Sequence, residues 1–181
     1  DSLEDLLRKA PARDQVIVLH QLGSHGPAYY KRYPDAFRRY QPTCDSNELQ
    51  SCEREAVINS YDNTIAYTDH VLARVIDILK GEEGRYRTAF WYVSDHGEST
   101  GEKGLYLHGA PYMFAPSQQT HVPMVAWMSP AFAADQHLDC MVRREHAELS
   151  HDNLFHTMLG LLKVRTSVYR PELDISASCQ A

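Results

Sequence analysis

Phe90-Trp91-Tyr92-Val93-Ser94-Asp95-His96-Gly97-Glu98-Ser99 is an apolar, aromatic-rich run that delivers an acid and an imidazole side by side at its end. Aromatic and β-branched residues favour a strand, and a buried strand is rigid enough to hold ligands to the tolerances a metal demands. The stretch therefore predicts a buried strand opening into a metal site, with Gly97 turning the chain sharply away. An Asp oxygen beside a His nitrogen suits Zn²⁺ or Mn²⁺, because mixed N and O donor sets typify catalytic sites. The competing reading is an Asx turn or helix cap, which an isolated Asp-His-Gly also satisfies.

Upstream of this run, Val57, Ile58, Tyr61, Ile65, Thr68, Leu72, Val75, Ile76 and Leu79 recur at intervals of three and four. That spacing predicts a long amphipathic helix over 53–80, ended by Gly81 and Gly84, followed by a strand over 87–94. Earlier still, Val16-Ile17-Val18-Leu19 is a continuous apolar run ending at His20, the pattern of a strand covered on both faces in a parallel sheet. A right-handed strand-helix-strand crossover would make the two strands parallel, so the 20–27 loop and the Asp95-His96 turn would leave one carboxyl edge. Residues 122–128 read as a third strand, with Pro123 near its start or at an edge. Residues 152–162 read as a closing helix that Ser150 or Asp152 can cap, and residues 2–9 as a short helix with Ser2 as N-cap.

The chain has 181 residues, is 43% hydrophobic, and its length suits one globular domain over 1–181. A net charge of -6 argues against a nucleic-acid surface. No apolar run is long enough to cross a bilayer. The opening Asp1-Ser2-Leu3-Glu4-Asp5 carries neither an initiator Met nor a leader, which reads as a processed or truncated piece. Cys44 and Cys52 flank a polar loop that a short disulfide could staple, and Cys140 could pair with Cys179; an oxidising compartment is favoured over four reduced thiols.

Ten histidines allow a metal site without proving one. His20, His25, Asp95, His96 and His108 are the candidates, because sheet topology would bring most of them to one side. Against each stands an ordinary role: a His next to Gly is usually a surface turn residue, and His20 could bond only backbone. His70, His121, His137, His146, His151 and His156 read as structural or surface residues.

Four motifs occur in order: Leu19-His20-Gln21-Leu22-Gly23-Ser24-His25-Gly26-Pro27, Tyr61-Asp62-Asn63-Thr64, Ser94-Asp95-His96-Gly97-Glu98-Ser99 and Tyr106-Leu107-His108-Gly109. Together they closely resemble the C-terminal half of bacterial phosphoethanolamine transferases, the lipid A-modifying enzymes that include the mobile colistin-resistance proteins. The resemblance implies an α/β fold of the three-layer alkaline phosphatase-like (sulfatase-like) kind, a mostly parallel sheet flanked by helices, here its C-terminal portion. It implies that Asp95 and His96 are zinc ligands and that His25 and His108 bind the phosphoryl group or a second metal, or shuttle protons. The Cys44 to Cys52 loop matches a family disulfide.

Such enzymes pass phosphoethanolamine from phosphatidylethanolamine to a lipid A phosphate through a Thr nucleophile close to zinc, splitting one displacement into two. The implied location is the periplasmic face of the bacterial inner membrane, with membrane association through N-terminal segments. The family's nucleophilic Thr and a Glu zinc ligand have no counterpart among these residues, so the isolated chain is expected to bind zinc weakly and not turn over. Two other readings remain. One is a metal-dependent sulfatase or phosphodiesterase, or a transferase to another glycan acceptor. The other is a non-catalytic, disulfide-stapled fragment that binds metal.

Overall fold

Leu3, Leu6 and Leu7 lie on α1 (Ser2–Lys9), the first element of a computed structural model that describes residues 2–11, 13–136, 138–143 and 146–179. The chain continues through α2 (Arg54–Gly81), β1 (Ala89–Val93), β2 (Ser99–Thr100), β3 (Tyr106–Leu107), α3 (Ser117–Thr120), β4 (Met124–Met128), α4 (Pro130–Asp135), α5 (Leu138–Val142) and α6 (His151–Leu161). The helix and strand assignments over 53–80, 87–94, 122–128 and 152–162 are met within one or two residues. The cap assigned to Ser2 and the surface role assigned to His137 lie outside what is described. No described helix is long and apolar enough to cross a membrane.

The residues form two compact units, Asp1–Ile78 with His96–Pro123, and Leu79–Asp95 with Met124–Ala181. In the first unit, Tyr29, Cys44, Leu49, Ala56 and Val57 form a buried core against which Tyr61, Tyr106 and Leu107 pack. The Cys44–Cys52 disulfide closes the loop before α2. Polar positions on the buried face of α2 hold that loop. Ser60 Oγ accepts from the Cys44 N–H at 2.8 Å, and Asn63 Oδ1 accepts from the Arg39 and Tyr40 N–H groups at 2.8 and 2.9 Å. Asn63 of the Tyr61-Asp62-Asn63-Thr64 motif is thus a buried clamp on backbone, since each N–H it satisfies would otherwise be costly to bury.

The α/β class holds, with different pairing from that expected. Residues 16–19 form no strand, and Val18 is 85% exposed. An extended run becomes a strand only when a neighbour takes its backbone hydrogen bonds, and among the described residues none does. The parallel crossover is therefore not formed here. β1 instead pairs antiparallel with β4, with Trp91 opposite Ala126, and β2 pairs antiparallel with β3. β1 is also half-buried rather than buried, because among the described residues it has a ladder partner on one edge only.

In the second unit, Met128, Met141, Leu161, Ile175 and Cys179 make the core, joined by Trp91, and Cys140 and Cys179, whose pairing the sequence left open, are joined in a disulfide. α6 begins at a capping box in which Ser150 Oγ accepts from the Asp152 N–H and Asn153 Oδ1 from the Ser150 N–H. Its flank then stitches down the following segment. The Ile175 N–H donates to Thr157 Oγ1 at 3.0 Å, and buried Asp174 accepts from Tyr169 at 2.6 Å and from the Ser176 N–H and hydroxyl at 2.7 Å each. Asp174 reaches this position only because residue 160 is glycine, since a Cβ there would collide with its carboxylate.

Gly160→Ala is expected to destabilise the protein by about 1–3 kcal/mol through overpacking, read as a lowered midpoint in denaturant. A second expectation concerns alkaline pH. The hydrogen bond to Asp174, aided by burial, pushes the Tyr169 phenol up from 10.0 to about 12. A raised folded-state value means this contribution is complete below pH 10 and is lost as pH rises through 12. Tyr169→Phe should flatten that part of the alkaline stability loss, measured as melting temperature against pH relative to the native chain.

Candidate metal centre

His25, His96 and His108 come together within the first unit, each offering one ligand nitrogen, with those atoms all within 4.8 Å of one another. Ring centroids are 3.9 Å apart for His96 and His108, 4.9 Å for His25 and His108, and 6.0 Å for His25 and His96. Each ring has its Nδ1 against an oxygen that can only accept: Gly26 O at 2.7 Å for His25, Gly97 O at 3.0 Å for His96, and Glu98 Oε1 at 3.0 Å for His108. Nδ1 therefore carries the proton in all three neutral rings, and Nε2 carries the lone pair. This is the arrangement by which an outer oxygen orients a metal-ligating imidazole and raises its basicity.

Glu98 is the part of the site that sequence reasoning missed. The residue is 5% exposed, and besides His108 its carboxylate accepts from Tyr29 Oη at 2.9 Å and from the Gly26 N–H at 3.3 Å. A buried carboxylate is costly unless paired, and these three partners satisfy it. Burial first, and then the charge and hydrogen bond of Glu98, push the Tyr29 phenol far upward, so Tyr29 remains a donor at any physiological pH. One carboxylate thus ties the loop carrying His25, through Gly26, to the loop carrying His108.

Two glycines and one strained residue allow the approach. A Cβ on Gly26 would collide with Leu107 and press on the Tyr29 ring. Leu107, immediately before His108, sits at φ 65°, a left-handed conformation that a bulky residue adopts only when held, here by packing against the Tyr29 core. Gly97 lies against the backbone of α3, where a Cβ would strike the Gln118 carbonyl, and its N–H donates to Gln119 O at 2.9 Å. Buried Gln119 also donates to Ser99 Oγ at 2.8 Å and accepts from the Ala110 N–H at 3.4 Å, so the turn after His96 is fixed from both sides.

Of the sequence candidates, His25, His96 and His108 converge. They converge through the packing of loops in one unit, not along a shared carboxyl sheet edge, because residues 16–19 contribute no strand. Asp95 ends a segment of the second unit, directly before His96 in the chain. His20 stands apart, lining a groove of about 510 Å³ with Leu19, Tyr67, His70 and Arg74. The histidines set aside as structural behave so where contacts define them. His156 is buried and accepts from the Arg170 N–H, His70 packs on Phe37 and Tyr67, and His151 bonds Ser94 O.

Three imidazoles with lone pairs on Nε2 are a donor set suited to zinc or another borderline divalent ion. Tetrahedral ligands at about 2.0–2.1 Å from one ion lie roughly 3.3 Å apart, and these three nitrogens all fall within 4.8 Å of one another, so an ion on one imidazole leaves the other two within reach of a group that the ion binds.

The sulfatase family profile matches residues 1–164. Phosphoethanolamine transferase EptA of Salmonella typhimurium is 48% identical over 170 residues, covering 92% of this chain and 31% of that protein. Phosphatidylethanolamine transferase Mcr-2 of Escherichia coli is 43% identical over 162 residues, covering 90% of this chain and 29% of that protein. The crystal structure of the soluble domain of lipooligosaccharide phosphoethanolamine transferase A from Neisseria meningitidis superposes with a TM-score of 0.92 at 45% identity, covering 98% of this chain and 54% of that one. The chain thus spans under a third of the length of these curated relatives and about half of the solved domain.

Glu98→Gln tests the orienting role directly. The amide can offer a donor where the carboxylate could only accept, so His108 is expected to lose its fixed Nδ1–H form while the fold is kept. Long-range ¹H–¹⁵N correlation spectra of the histidine rings would report this. An unchanged His108 tautomer in a folded variant would remove Glu98 from the site.

Proposed function

The chain belongs to the sulfatase family, with an alkaline phosphatase-like α/β fold, and we propose that it serves a zinc-dependent phosphoethanolamine transferase. In this reading the donor is phosphatidylethanolamine and the acceptor a lipid A phosphate, at the periplasmic face of a bacterial inner membrane. The observation that carries it is the cluster of three imidazoles oriented through Nδ1, in a chain 48% and 43% identical to named transferases. Two disulfides agree with an oxidising compartment.

Asp95 and His96 would hold zinc, with His25 and His108 facing the phosphoryl group. Residues 1–181 then act as one catalytic portion, completed by a nucleophilic hydroxyl, further ligands and membrane attachment supplied from outside these residues. When bound, zinc supplies positive charge that offsets the phosphoryl oxygens and lowers the pKa of a nearby hydroxyl. His108 takes up a proton at Nε2 while its Nδ1–H stays on Glu98, whose charge stabilises the imidazolium. The same nitrogen returns the proton to the departing alkoxide. His25, fixed by the Gly26 carbonyl, presents Nε2 from the opposite loop and orients the phosphoryl oxygens.

Variants in the full-length protein separate these roles. His96→Ala should lose zinc and transferase activity together, whereas His108→Ala should keep zinc and slow transfer by about 10²–10⁴-fold. Zinc content by elemental analysis and transfer to lipid A by mass spectrometry are the readouts. Equal zinc content and equal activity in the two variants would overturn the division of roles.

A further inference from the structure

Tyr112, Met113 and Phe114 are 86%, 81% and 67% exposed, three consecutive large apolar side chains on one turn. Single exposed hydrophobic residues are ordinary, but a contiguous group at a loop tip marks a surface meant to be covered. The backbone beneath them is closed on itself. The Pro111 carbonyl accepts from the N–H groups of Phe114 at 2.8 Å and Ala115 at 2.9 Å, and Pro111 and Pro116 have no N–H to satisfy. No Asp, Glu, Lys or Arg occurs between Lys103 and Asp135 in a chain that is 23% charged. Such a tip can leave water without stranding a charge, and with the Phe114 and Ala115 N–H groups already bonded.

We infer that the 111–116 turn is a membrane-contact tip, and that its occupant is the interfacial layer of a phospholipid bilayer. Tyr112 has the amphipathic ring that settles at headgroup depth, while Met113 and Phe114 are suited to the upper acyl region. The base of the turn is tied to the histidine site: Gln119 bonds Ala110 at one end of the loop and Gly97 and Ser99 beside His96. A contact at the tip would therefore hold His96 and His108 close to a lipid surface. This inference rests on the reading that the donor is a membrane lipid. Because the chain is net acidic, attachment would come from apolar insertion and survive added salt.

The test is co-sedimentation of the full chain with vesicles of phosphatidylethanolamine and phosphatidylglycerol, at low and high salt. Tyr112→Ser/Phe114→Ser should weaken partitioning about tenfold or more, and Met113→Asp should weaken it likewise. Val168→Ser, at an exposed apolar position in the other unit, should leave it unchanged. Two results overturn the inference: no vesicle binding by the native chain, as when another protein surface covers the tip, or equal binding by the tip variants. Neither zinc nor turnover enters this assay, so failure of the transferase reading would appear in the variants of His96 and His108 and not here.

Discussion

The site depends on one buried carboxylate. Glu98 has no solvent to fall back on, so its position is set by whichever donors reach it: a fully buried phenol, a backbone N–H in the first loop and a ring nitrogen in the second. Leaving such a buried group short of one hydrogen-bond partner typically costs about 1–3 kcal/mol, a large share of the margin by which a protein is stable. The two histidine-bearing loops are therefore held to each other by satisfaction of a charge, and the strained backbone at Leu107 persists because this pairing and the Tyr29 core hold it.

The orientation of the rings follows the same logic on a smaller scale. Two of the three Nδ1 atoms bond the carbonyl of the next residue in the chain, so His25 and His96 use local backbone while His108 uses a distant acid. Local bonds hold a ring cheaply wherever its loop goes. The distant bond decides where two loops meet. After His25 and His96 the following glycine also lets the backbone pass close to Leu107 in one case and α3 in the other.

Much of this was legible in the sequence, for reasons that differ by element. α2 and α6 announce themselves by apolar spacing over many residues, and Ser150 marks the start of α6. The three histidines stood out because each sits in a glycine-bearing loop beside apolar runs. Residues 16–19 misled because apolar character says that a segment wants cover, not which neighbour provides it. Glu98 was illegible because a Glu after Gly reads as solvated, and the partners that bury it lie 69 and 72 residues away. Tyr29 and Gln119 were hidden in the same way, as polar residues whose burial is decided by distant parts of the chain.

The chain passes between its two units at three places: within the last turn of α2, at the bond joining Asp95 to His96, and after Pro123. Neither unit is therefore a contiguous stretch of sequence. A gene fragment encoding one of them alone would have to be spliced from separated pieces, so no single truncation of the chain delivers either unit by itself.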